Sequence, residues 1–252
     1  MASQGSAWYV DFFRTDYLNV YGHMFTEERA EKESAFVASA LELKPDASVL
    51  DLCCGQGRHS VQLAKRGLAV TGLDLNPEYL ELAQQAATAG KVTIETVAAD
   101  MRMIPFENKF DAIVNMYSSF GYLESEDEDL KVLVSAARAL KAGGRLLLDM
   151  LNREWAIDNY IQNDWHKGAD ETLYIERRDL DLATSRMHVH FIVVDAEGHR
   201  RESIGHNIRL YTLTEMKRLL ERVGLGVTAV FGGFDGEEYA IGTRRMVIVA
   251  RK

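Results

Sequence analysis

The residues with most to offer chemically are three acids and one glycine turn. Asp51 closes the apolar run Val49-Leu50, and Leu52-Cys53-Cys54-Gly55-Gln56-Gly57-Arg58-His59-Ser60 follows it. Asp74 closes a second run, Ala69-Val70-Thr71-Gly72-Leu73, and Asp100 follows a third. Gly55 and Gly57 leave backbone N–H groups open to a ligand, and the helix start behind them favours negative charge or lone pairs. Asp74 stands about 20 residues past that turn, where a carboxylate can accept two hydrogen bonds from a vicinal diol. Gly55-x-Gly57-x-x-Ser60 nearly fits the dinucleotide fingerprint, with serine at the third glycine position. The chemistry is that of a nucleoside-containing cofactor.

The elements that must position these residues alternate. Strands are expected at 47–53, 68–74, 92–98, 110–116 and 145–151. Helices are expected from Thr26 to Leu41, from Arg58 to Arg66 and from Pro77 to Ala89, the last with Asn76 as its cap. Another starts at the capping box Ser125-x-x-Glu128 and ends at Gly143-Gly144. Alternation of this kind predicts an α/β fold, a doubly wound parallel sheet with its ligand at the carboxyl ends of the strands. Residues 152–211 break the pattern, with a short helix from Asn152 to about Gln162 and strands near 171–180, 186–194 and 200–211. They read as an inserted antiparallel meander. Thr212-x-x-Glu215 opens a further helix, and strands at 225–231 and 245–251 close the chain.

Five segments in order carry a family resemblance. They are Asp51-x-x-x-Gly55-x-Gly57, Gly72-Leu73-Asp74-Leu75-Asn76-Pro77, Ala99-Asp100-Met101-Arg102, Phe110-Asp111-Ala112-Ile113-Val114 and Leu140-Lys141-Ala142-Gly143-Gly144. Together they resemble class I S-adenosylmethionine-dependent methyltransferases over residues 45–151, and most closely the small-molecule members that methylate amino sugars. The resemblance implies a Rossmann-like sheet, mostly parallel with an antiparallel last strand, and S-adenosylmethionine as cofactor. It implies that Asp74 meets the ribose, Asp100 and Met101 the adenine, and that Leu75, Asp51, Cys53, Gly55, Gly57, Met116 and Tyr17 also contact the cofactor. The family often has glycine where Cys53 stands. The sulfonium activates its own methyl group, so the enzyme mainly aligns a nucleophile in line and excludes water. Transfer to nitrogen or oxygen of a small metabolite is expected. The alternatives are a nicotinamide-dependent oxidoreductase of similar fold and a non-catalytic S-adenosylmethionine-binding protein.

The acceptor side is less legible. Tyr9, Phe13, Tyr17 and Tyr21 recur every four residues, one face of a helix. Residues 1–44 are read as a helical lid on a single domain of 1–252. Tyr21, Tyr117 and His206 are the candidates for catalysis, and Tyr9, Tyr122, Arg209 and Tyr239 for acceptor contacts. His188 and His190 alternate on one strand without matching acid or cysteine spacing, so no metal is expected.

Composition sets the outer bounds. There are 29 basic and 38 acidic residues, a net charge of −9, which disfavours nucleic acid as a partner. The two cysteines are adjacent, so no disulfide framework exists and a reducing, cytoplasmic setting fits. No run of residues is long and apolar enough to span a bilayer, and no signal peptide is read. The exposed edge of the meander suggests a homodimer.

Overall fold

The computed structural model describes residues 8–15, 17–168, 170–203 and 205–252. In chain order the helices and strands begin with α1 (Trp8–Thr15), α2 (Tyr17–Tyr21), α3 (Glu27–Ala40), β1 (Ser48–Leu52), α4 (Arg58–Lys65) and β2 (Ala69–Asp74). Then come α5 (Pro77–Ala89), β3 (Glu95–Ala98), β4 (Phe110–Asn115), α6 (Glu126–Ala139), β5 (Leu140–Leu151) and α7 (Arg153–Asp158). The chain ends with β6 (Asn163–Lys167), β7 (Leu173–Asp181), β8 (Arg186–Val194), β9 (Arg200–Ser203), β10 (Asn207–Arg209), α8 (Leu213–Arg222), β11 (Gly226–Phe231) and β12 (Arg245–Arg251).

The chain divides into two units. The larger comprises residues 27–156 and 211–252. Its seven-stranded sheet runs β11-β12-β5-β4-β1-β2-β3. β3, β2, β1, β4 and β5 are parallel, and β12 runs antiparallel between β5 and β11. Their apolar runs explain this, because Val49, Leu50, Ile113, Val114, Leu147 and Ile248 are all wholly buried, as strands covered on both faces require. The Asn76 side chain caps α5 with Pro77 at its first position, and Thr212 and Glu215 close a full capping box on α8.

The expected helix end at Gly143-Gly144 is corrected by the structure. α6 stops at Ala139, and β5 runs through both glycines with a register shift against β4. Gly143 has φ +75°, and a Cβ on Gly144 would lie 2.9 Å from the Lys141 carbonyl. The pair therefore serves a bulge in a strand.

The smaller unit comprises residues 1–26 and 157–210. Its five-stranded antiparallel sheet runs β10-β8-β7-β6, with β9 also paired to β8. The expected helix to Gln162 ends at Asp158, and β6 was not anticipated from sequence. The five residues Asn163-Asp164-Trp165-His166-Lys167 carry no apolar face to mark them. The expected strand at 200–211 is two strands, interrupted around Gly205, where a Cβ would collide with the Val189 carbonyl. The helix expected from the tyrosine spacing is present over the described residues of α1 and α2, and a 3₁₀ turn, Gly22–Met24, follows it. Along the aromatic stripe the Phe13–Tyr17 centroids are 4.7 Å apart and the Tyr17–Tyr21 centroids 5.7 Å. Phe12 stacks on Phe191 of β8.

His206 is enclosed within this smaller unit. Its Nε2 lies 2.9 Å from the Tyr21 hydroxyl, and its Nδ1 is buried with no partner among the described residues. Burial, with Arg178 adding to it, lowers its pKa to about 4. The folded protein thus holds the imidazole neutral where the unfolded chain, with a pKa near 6.5, takes a proton. Stability should therefore rise with pH between about 4 and 6.5, by no more than about 3 kcal/mol. Urea unfolding of wild type and His206→Phe across that range checks it, and the variant should lose that part of the slope.

Candidate functional site

The carboxyl ends of β1, β2, β3 and β4 bring most of the expected cofactor residues to one edge of the larger sheet. The Asp74 carboxylate links two of them. Its Oδ2 accepts the Gly55 N–H at 2.8 Å and its Oδ1 the Asn76 N–H at 2.9 Å. Each oxygen retains acceptor capacity. Burial raises the Asp74 pKa, against the pull of those N–H donors. A half-buried carboxylate at a strand end is suited to meet hydroxyl donors.

Gly57 has φ +77°, and a Cβ there would lie 2.7 Å from Ala83 Cβ on α5. Only glycine fits both the conformation and the gap. Gly57→Ala should destabilise the fold by about 1–3 kcal/mol. Gly55→Ala should cost less, since its nearest neighbour would be Tyr79 at 3.9 Å. Thermal unfolding of the two variants side by side checks the order.

Ser60, at the third glycine position, is wholly buried and donates to Asp51 Oδ2 at 2.6 Å. It ties the first turn of α4 to the end of β1. Burial raises the Asp51 pKa as well. Asn115, ending β4, donates to the Leu52 carbonyl at 2.9 Å, and its Oδ1 is buried without a partner among the described residues. Cys53 has φ +63°, which accounts for the suitability of glycine there. Its Sγ lies 3.5 Å from Met101 Sδ, joining the β1 and β3 ends.

Asp100 caps the 3₁₀ turn Met101–Met103. Arg102 grips it with its N–H at 2.8 Å, Nε at 3.0 Å and Nη2 at 2.5 Å, and meets Glu128 Oε2 through Nη1 at 2.5 Å. These hydrogen bonds lower the Asp100 pKa. Leu75 is exposed, as an adenosine neighbour at a rim can be. Met116 is buried in the core cluster beneath.

The remaining candidates are dispersed. Tyr9, Tyr17, Tyr21, His206 and Arg209 belong to the smaller unit, where Arg209 Nη1 donates to the Leu210 carbonyl at 2.6 Å. Tyr122 is half-buried. The Tyr239 hydroxyl lies 3.0 Å from Glu154 Oε2 and 3.3 Å from Asn152 Oδ1, at the start of α7. Burial and Glu154 raise its pKa. The described residues hold one trio with metal-ligating atoms within reach of one another, Asp195, Glu197 and His199. It lies in the β8–β9 turn, where His199 already bonds Asp195.

Tyr117 occupies a more elaborate setting than its sequence suggests. Both it and Ser118 have left-handed backbones, φ +59° and +60°. Asp149, wholly buried on β5, holds that turn by accepting the Tyr117 N–H at 2.8 Å on its side chain and the Ser118 N–H at 2.9 Å on its carbonyl. Arg245 of β12 bonds Asp149 at 2.6 Å and Ser118 Oγ at 3.0 Å. Arg58 and Arg29 lie over the Tyr117 ring at 4.4 and 5.0 Å. Glu33 of α3 collects Arg29, Arg58 and His59. None of Arg29, Glu33, Arg58, Arg102, Asp149 or Arg245 was assigned a role from sequence. Glu33 had a usable signal, an acid on the same helix face as Ala30, Ser34 and Val37.

Residues 49–144 match the methyltransferase domain family. A protein of Geobacillus sp. (strain WCH70) named as a methyltransferase is 30% identical over 81% of this chain and 84% of its own length. The chain belongs to the S-adenosylmethionine-dependent methyltransferases. A dTDP-3-amino-3,4,6-trideoxy-alpha-D-glucopyranose N,N-dimethyltransferase of Streptomyces venezuelae is 28% identical over 91% of this chain and 98% of that one. A solved S-adenosylmethionine-dependent methyltransferase from Clostridium acetobutylicum ATCC 824 shares the fold, with a TM-score of 0.76 at 20% identity over 92% of this methyltransferase and 98% of that chain. The oxidoreductase alternative is thereby set aside. The serine at the third glycine position fits, because its hydroxyl is spent on Asp51.

Proposed function

We propose that this methyltransferase acts on an amine of a small, non-nucleic-acid acceptor, by direct in-line transfer. Bound S-adenosylmethionine supplies an electrophilic methyl group. In this reading Asp74 and Leu75 hold the ribose, Asp100 and Met101 the adenine, and Asp51 the ammonium of the methionine tail. Gly55 and Gly57 admit that tail to the backbone, with Cys53 and Tyr17 beside the cofactor, and Met116 supports the floor from the core. The observation that carries the reading is the Asp74–Gly55 cradle, whose half-buried acid retains acceptor capacity at a strand end. Nitrogen rather than oxygen is favoured by the full-length similarity to an amino-sugar N,N-dimethyltransferase. Tyr21, Tyr117 and His206 remain the proposed catalytic candidates, and Tyr9, Tyr122, Arg209 and Tyr239 the proposed acceptor contacts. His206 stays neutral at pH 7, and its pKa of about 4 makes it a weak base in this form of the protein.

Calorimetric titration with S-adenosylmethionine, followed by a screen of amines and alcohols with methyl-labelled cofactor, tests the reading. Binding with label transferred to amines supports it, and transfer only to hydroxyls overturns the choice of nitrogen. We also propose residues 1–44 as a lid, an inserted-sheet homodimer and a cytoplasmic location. Among the described residues no helix is long and apolar enough to cross a membrane.

A further inference from the structure

We propose that Trp165 of β6 docks into an aromatic groove on the larger unit of a second copy of this chain. This rests on the homodimer reading above and names the two surfaces that meet.

The groove lies between α3 and the loop after β11, with a volume of about 520 Å³. Phe36, Phe231 and Phe234 line it and pack against the core of the larger unit. The Phe36 ring stands edge-on to the other two, with centroids 5.1 Å from Phe231 and 5.7 Å from Phe234. The loop wall is held by its own backbone, since the Gly232 N–H bonds the Glu237 carbonyl at 2.8 Å and the Asp235 N–H bonds Glu237 Oε2 at 2.9 Å. Lys32 of α3 reaches Asp235 at 2.5 Å, both side chains being more than half exposed. Glu28 and Glu237 add their charge around that ammonium, so acids outnumber Lys32 at the rim.

Such a groove suits a large apolar body with a hydrogen-bond donor at one end and positive charge around it. An indole is that body. The Ser39 hydroxyl and the Asp235 carboxylate, both lining the groove, are acceptors for its N–H.

The smaller unit presents an indole in this setting. Exposed large apolar side chains gather between positions 157 and 165, at Ile157, Tyr160, Ile161 and Trp165, and Trp165 is 66% exposed. A patch of this kind marks a contact surface. Asn163, Trp165 and Lys167 are exposed on β6, while Asp164 and His166 are half-buried on its other face. Trp165 lies opposite Ile175 of β7, and Asn163 opposite Arg177, so Lys167 and Arg177 stand on either side of the indole on one face. Their acid partners, Glu171 and Asp179, are exposed, where ion pairs contribute little. Bases flank the knob and acids ring the groove, which is the complementarity that steers and orients a contact.

Both halves of the contact belong to one chain, so a second copy is the occupant. Each copy gives its own Trp165 and receives the other's, and the reciprocal pair closes a dimer. One indole buries about 150–250 Å², a fraction of the roughly 800 Å² per partner of a stable interface. Trp165 is therefore the anchor, with Ile157, Tyr160 and Ile161 widening the contact.

Sedimentation of the full-length protein over a concentration series tests this. Wild type should dimerise, and Trp165→Ala should raise the dimer dissociation constant by about thirtyfold or more. Ala35→Trp, which fills the groove from its own chain, should do the same, and Asp235→Lys should raise it by about tenfold. Each variant should bind S-adenosylhomocysteine as wild type does, which shows that it is folded. The deciding sample is an equimolar mixture of Trp165→Ala and Ala35→Trp. The first keeps its groove and the second its indole, so the mixture should form heterodimers where neither variant associates alone. A dimer unmoved by Trp165→Ala, or a mixture no more associated than its components, overturns the contact and leaves the inserted-sheet homodimer standing. A dimer lost in Trp165→Ala but kept in Ala35→Trp and Asp235→Lys also overturns it, by giving the indole to another surface. A wild type that stays monomeric throughout the series overturns both the contact and the homodimer.

Discussion

Asp74→Ala should weaken S-adenosylmethionine binding by about 3 kcal/mol, roughly two orders of magnitude in Kd. Two effects add. The variant lacks both acceptors for the ribose diol, each hydrogen bond being charge-assisted. It also releases the Gly55 and Asn76 N–H groups that Asp74 now holds at 2.8 and 2.9 Å, so the glycine turn loses its anchor to β2. Calorimetry measures the affinity, and Asp74→Asn separates charge from shape. Burial raises the Asp74 pKa in the protein alone, and diol donors favour its ionised form. Binding should therefore weaken as pH falls through that raised pKa, with the diol stabilising the ionised carboxylate and releasing its proton. Asp74→Asn should flatten part of that slope. The part contributed by Asp51, whose pKa burial also raises, should remain. Wild-type affinity in Asp74→Ala would place the ribose elsewhere.

Some of this site could be read from the chain because the information is local. Asp51 and Asp74 end apolar runs, and an apolar run that meets an acid and then a glycine or an asparagine cap is a strand leaving the sheet. The Asn76-Pro77 and Thr212-x-x-Glu215 caps lie within one turn of the residues they serve. What escaped depends on residues far apart in sequence. Arg58 and Glu33 are 25 positions apart, and Tyr117 and Asp149 are 32 apart. No periodicity on α3 or β4 says that these residues meet. Arg102 adjoins a recognised acid, yet its grip on Asp100 needs the 3₁₀ turn, and Glu128 reaches it from α6. β6 was hidden for another reason. It is an edge strand of polar residues whose Asp164 and His166 have partners on β7. Gly143-Gly144 misled because a helix stop and a strand bulge both require a left-handed glycine.

Glu33→Gln should destabilise the larger unit by about 3–5 kcal/mol at neutral pH, the cost of breaking a buried ion pair from one side. Glu33 is wholly enclosed, and its two oxygens accept Arg29, Arg58 and His59. Burial alone would raise its pKa. The hydrogen bond and charge of His59, then Arg58 and Arg29, outweigh that and lower it to about 2. The sign of the pH dependence follows. The unfolded carboxyl titrates near 4.5, so the contribution is full above that value and is lost as pH falls toward 2. The gap between wild type and Glu33→Gln should be widest at pH 7 and should close through that window. Chemical unfolding at pH 7, 4.5 and 3 measures it. A pH-independent gap would mean that shape rather than charge makes the site. A gap below about 1 kcal/mol would mean that solvent screens the cluster. Glu33 also aims Arg29 and Arg58 at the Tyr117 ring, and without its charge the two guanidiniums repel each other across that ring.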